Sequence, residues 1–117
     1  MKASSIFGTV LLVAPASLQT APAPGALTDA DILNFALILE HLEANFYSQG
    51  LAKYDAQAFI KAGFSNDTRV KIQAISNDET GHVNFLTAAL QAAGATPVQA
   101  CNYTFPHTDP KSFLAVS

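Results

Sequence analysis

The chain has 117 residues, half of them hydrophobic, with 13% charged, no Trp and a net charge of −3. That length allows one small domain. A mildly acidic chain with no basic run gives no footprint for nucleic acid or an anionic membrane.

Lys2 is followed by the short apolar run "IFGTVLLVA" and then by "PASLQTAPAPG". This is the pattern of a secretory signal peptide over 1–23, with cleavage near 16–23, and the run is too short to span a bilayer. Removing it takes away Lys2 and no acid, so the remaining segment of about 94 residues is slightly more acidic and can bury only a modest core alone. Export agrees with two N-glycosylation triplets, at Asn66 and Asn102. Cys101 is the single cysteine, which in a secreted chain suggests an intermolecular disulfide, a free thiol or a missing partner.

The first element expected is a long helix in "GALTDADILNFALILEHLEANFYSQGL". Thr28 is its N-cap, Asp31 closes a capping box, Leu27 and Ile32 can form a hydrophobic staple, and Gly50 is the expected stop. Asp29 and Asp31 suit the positive end of the helix dipole. A short helix in "DAQAFIKAG" follows, capped by Asp55 and ended at Gly63, and a second long helix runs from the Ser65-Asn66-Asp67 cluster to Gly94. Residues 27–96 thus read as a helical hairpin. Residues 97–117, with Pro97, Pro106 and Pro110, read as an extended segment. It leads into a helix start at Asp109-Pro110, which ends too soon to bury anything. There is no phosphate loop, repeat or strand alternation, so the class is all-α.

On the first helix the row Leu33, Ala36, Glu40, Glu43, Tyr47 adjoins the wholly apolar row Ile32, Phe35, Leu39, Leu42, Phe46, which is the expected core stripe. The second carries Ile75, Glu79, His82, Leu86 in one line. An antiparallel pair would therefore turn carboxylates and an imidazole towards one interior. Buried ionised carboxylates need a partner or a cation, and Glu-x-x-His on a bundle helix is a known way to hold a divalent metal. The candidate ligands are Glu40, Glu43, Glu79 and His82, with Tyr47 beside them. Against this stands the plainer reading that His82 hydrogen-bonds inside the core and Glu43 is a solvated flank; Glu40 and Tyr47 on the preceding helix weigh against it. His41 points about 100° away, towards solvent or a neighbouring helix, and His107 reads as a loop residue.

The segments "ADILNFALILEHLEANFYSQGL", "VKIQAISNDETGHVNFLTAAL" and "CNYTFPHTDPKSFLA" resemble the secreted fungal ferritin-like domain proteins, related to fungal stress-response and sexual-development proteins and to plant desiccation-related proteins. The resemblance implies half of a ferritin-like four-helix bundle. In ferritins the first helix supplies a Glu with a Tyr seven positions on, matched by Glu40 and Tyr47, and the second supplies the Glu-x-x-His matched by Glu79 and His82. An acid at Glu43 is usual in the fungal family. The implied cofactor is iron of the di-iron type, or another divalent metal, with Glu79 bridging, Glu40 and His82 terminal, and Fe(II) oxidation as the implied reaction. Such a site takes ligands from four helices, and two are present. The expectation is therefore a truncated version of a longer protein, completed by its missing C-terminal half or by a homodimer. The alternatives are a non-enzymatic extracellular stress or developmental protein with a vestigial metal seam, and a fragment without function.

Overall fold

A computed structural model describes residue 23 and residues 25–117. The leader expected over 1–23, with its cleavage positions, falls outside the described residues save Ala23. The described residues form α1 (Asp29–Lys53), α2 (Ala56–Lys61), α3 (Asn66–Ala92) and α4 (Pro110–Leu114), and they contain no strand. No helix is long and apolar enough to cross a membrane among these residues.

The capping chemistry starts α1 as its sequence dictates. Thr28 Oγ1 accepts from the Asp31 amide at 3.2 Å, and Asp31 Oδ2 accepts from the Thr28 amide at 2.9 Å. The Thr28 hydroxyl also holds the Asp31 carboxyl below the usual carboxylate range. Leu27 and Ile32 do not make a buried staple: both are exposed. Nor does α1 stop at Gly50. It continues to Lys53, and the Tyr54 amide donates to the Gly50 carbonyl at 2.9 Å. Gly50 is small for another reason, because a Cβ there would collide with the ring of Phe113. Asp55 caps α2 by accepting from the Ala58 amide at 2.8 Å, while Gly63 and Gly94 close α2 and α3 at φ of +93° and +73°.

The long helices are antiparallel. Asn34 near the start of α1 bonds Thr96 and Val98 just beyond α3, at 3.2 and 2.8 Å. Arg69 in the first turns of α3 reaches the carbonyls of Leu51 and Tyr54 at the end of α1, both at 3.3 Å. Residues 95–109 then form a strap that runs back along α1. Its carbonyls at Val98, Tyr103 and His107 meet the side chains of His41, Gln49 and Lys53. A proline-containing segment is thus satisfied by side chains rather than by a sheet ladder.

Burial is concentrated at the end of the hairpin where α1 meets α2. Phe46, Leu51, Tyr54, Phe59, Ile72 and Phe113 form one cluster, with Phe59 and Phe113 wholly enclosed. Far from burying nothing, α4 inserts Phe113 into the slot left by Gly50, a contribution of about 2–3 kcal/mol. Towards the other end Leu37 and Leu90 are fully buried. The expected core stripe fails along most of α1: Ile32, Phe35, Leu39 and Leu42 are exposed and only Phe46 of that row is buried. The α3-facing side of α1 is instead the one through Glu40, which meets His82, and the stripe lies on a side that no element among the described residues covers.

Candidate metal centre

Glu40 lies in the middle of α1, and Glu79 and His82 lie one turn apart on α3. Antiparallel pairing brings them together. His82 Nδ1 is 3.2 Å from Glu40 Oε2 and 3.0 Å from Glu79 Oε2, so two carboxylate oxygens converge on one ring nitrogen. The Glu40 and Glu79 side chains keep 22% and 15% of their exposure while His82 keeps 56%, so the cluster is walled by the helices and open on one side.

The electrostatics follow from that convergence. Burial pushes the Glu40 carboxyl above the usual carboxylate range, the neighbouring Glu79 carboxyl adds to the effect, and His82 opposes it. Hydrogen bonding to Glu79, then the charge of Glu40, raises the His82 imidazole. When protonated, His82 fills the place between two carboxylates that a cation would otherwise take. One donor atom from each of the three residues lies within 4.8 Å of the others. A divalent ion about 2.1 Å from each donor would hold such donors about 3–4 Å apart, a spacing compatible with that of the three residues. Oxygen and imidazole donors suit iron, manganese or zinc.

The other residues singled out from the sequence are placed as follows. Glu43 is exposed and outside the donor cluster; it lines a half-open apolar recess of about 370 Å³ with Leu42, Phe46, Tyr47, Phe105 and Pro106. Tyr47 is half-buried, its ring edge-on to Phe46 at 5.2 Å. Burial first, then the charges of Glu79 and Glu43, raise its hydroxyl, which keeps Tyr47 neutral within the field of the cluster. His41 faces neither solvent nor a helix but the strap, 3.1 Å from the Val98 carbonyl. Asn66, in the first turn of α3, and Asn102, on the strap, are both exposed, as is the free thiol of Cys101.

One residue corrects the sequence reading outright. His107 is no simple loop residue: it is 5% exposed, its Nδ1 lies 3.0 Å from the Tyr54 hydroxyl, and it packs on Phe46, Phe105 and Phe113. A signal for this was present. Tyr103, Phe105 and His107 alternate along an extended backbone, which places them on one side, and their rings stack in turn at 6.1 and 6.4 Å.

A family model described as "Ferritin-like domain" matches residues 28–117. The chain is similar to Protein rds1 of Schizosaccharomyces pombe, with 29% identity over 86 residues that cover 74% of this chain and 21% of that protein. It spans about a fifth of the length of that relative.

Proposed function

We propose, from the premise that this chain belongs to the ferritin-like domain family, that it binds a divalent metal of the di-iron type through Glu40, Glu79 and His82. The observation that carries this reading is the convergence of two half-buried carboxylate oxygens on one imidazole nitrogen, at 3.0 and 3.2 Å. Iron bound there would supply one-electron redox chemistry with O₂. The chain's own residues bind and neutralise: Glu40 and Glu79 give the charge, His82 gives up its proton, and Tyr47 stands beside them un-ionised.

Three donors leave coordination positions for a second set. Helical spacing puts Ile32, Phe35, Leu39 and Leu42 of α1 and Phe85 of α3 on the side to which the cluster opens, and all are exposed. Two such hairpins would contribute four Glu and two His, the inventory of designed di-iron bundles; further helices of a longer protein would serve equally. Secretion and glycan attachment at Asn66 or Asn102 form part of the proposal, supported by the basic-apolar-small pattern at the N-terminus and by the exposure of both asparagines. A second reading, a non-enzymatic protein that retains the seam without metal, has one observation in its favour: His82 already satisfies both carboxylates by itself.

Anaerobic titration with Fe(II), followed by metal analysis, tests the proposal. Wild type and Glu43→Ala are expected to retain iron, whereas Glu79→Ala and His82→Ala lose it. Equal iron in all four would overturn the assignment. Admitting air then separates oxidation from passive binding by the appearance of Fe(III).

A further inference from the structure

His107 sits where α1, the strap and α4 meet. Its ring is enclosed by Phe46, Tyr54, Phe105 and Phe113, with centroids between 5.2 and 6.4 Å away. Nδ1 is paired with the Tyr54 hydroxyl, while the buried Nε2 has no partner among the described residues. A neutral imidazole tolerates this at modest cost. An imidazolium would leave a charged N–H buried without an acceptor, which is far more expensive.

Only a minor backbone interaction of its own favours the charge, and burial outweighs it. From α1 come Tyr54 and Lys53, whose ammonium bonds the His107 carbonyl at 2.6 Å. From α3 Arg69 is directed at the carbonyls of Leu51 and Tyr54. Asp109 caps α4 by accepting from the Ser112 amide at 2.7 Å, and Lys111 is exposed. No carboxylate among the described residues hydrogen-bonds the imidazole. Burial first, and Lys53 second, lower its proton affinity accordingly.

We propose that His107 is an acid-release latch: neutral, it pins the strap and α4 to the end of the hairpin, and its protonation detaches both as one unit while α1 and α3 stay paired. The unit is continuous because Phe113 of α4 packs directly on the His107 ring and fills the Gly50 slot. The helix pair survives because the Arg69 bonds to the Leu51 and Tyr54 carbonyls, and the meeting of Glu40 with His82, involve neither strap nor α4. Release removes Phe105 and Pro106 from the wall of the recess beside Glu43 and Tyr47 and so uncovers an apolar surface next to the donor cluster. The latch acts whether or not a metal is bound.

Hydrogen exchange of the whole chain, read by mass spectrometry at about pH 7.5 and about pH 5 and corrected for intrinsic rates, tests the latch. Peptides covering residues 99–117 are expected to exchange about tenfold faster in acid, and those from α3 to change by less than about twofold. His107→Phe, which keeps a ring but cannot be protonated, is expected to abolish the difference. Tyr54→Phe, which keeps His107 but removes the partner of Nδ1, is expected to shift the pH of release. Equal protection of the strap at both pH values in wild type overturns the latch. So does a His107→Phe protein with an unchanged acid response or, should that variant not fold, a Tyr54→Phe protein that releases at the wild-type pH.

Discussion

At the α1–α2 end of the hairpin Phe46 and Phe59 are buried against Phe113; along the open side of the two long helices Phe35 and Phe85 are 64% and 71% exposed. The residue types are alike, so composition does not decide burial. What differs is a covering element. The aromatic end is closed by the strap and α4, which bring Phe105, His107 and Phe113 over the helices. Among the described residues the open side has only the two helices that carry it. The same contrast separates two histidines: His82, among carboxylates and exposed, holds its proton more tightly than usual, and His107, among aromatic rings and beside Lys53, holds it less tightly.

The largest effect belongs to Phe113. Replacing it with Ala deletes a wholly enclosed ring and is expected to cost about 3–5 kcal/mol in chemical denaturation, more than any substitution on the open side. A smaller loss, about 1–3 kcal/mol, is expected from Gly50→Ala, since the added methyl meets the Phe113 ring. Thermal melts should show the loss largely absent when Gly50→Ala is combined with Phe113→Ala, because the collision then has no partner.

Acid sharpens the contrast between the two histidines. The lowered His107 contributes stability that is present above the ordinary value of 6.5 and lost as pH falls below it. The raised His82 contributes in the opposite sense: its part is fully present below 6.5 and lost as pH rises through the raised folded value. Melting temperature against pH should therefore fall less steeply on acidification for His107→Phe than for wild type, and more steeply for His82→Ala. Metal uptake needs the neutral imidazole, so iron affinity should rise with pH through the His82 titration, read as protons released on binding. The smallest effect belongs to the exposed face. Phe35→Ser and Phe85→Ser should each change chain stability by less than about 0.5 kcal/mol, while sedimentation velocity reports whether they abolish any self-association of that face.

The helix caps were legible because they are local: Thr28, Asp55, Asp109 and the glycines at 63 and 94 act within one turn of chain. The meeting of Glu40 with Glu79 and His82 was legible for a related reason, since helical spacing places each residue on a face and antiparallel pairing brings those faces together. Three things were not. Gly50 reads as a helix stop until Phe113, far along the chain, is seen to need the space. His107 reads as a loop residue until the strap lays it across Phe46 and Tyr54. The apolar row from Ile32 to Leu42 reads as core, and periodicity can show that such a row wants cover without showing that cover exists. Local sequence set the helices and their caps and placed Glu40, Glu79 and His82 on facing sides; the end of α1, the exclusion of Glu43, the apolar side that is buried and the histidine that holds its proton less tightly were set by the fold, because all four depend on contacts between residues distant in the chain.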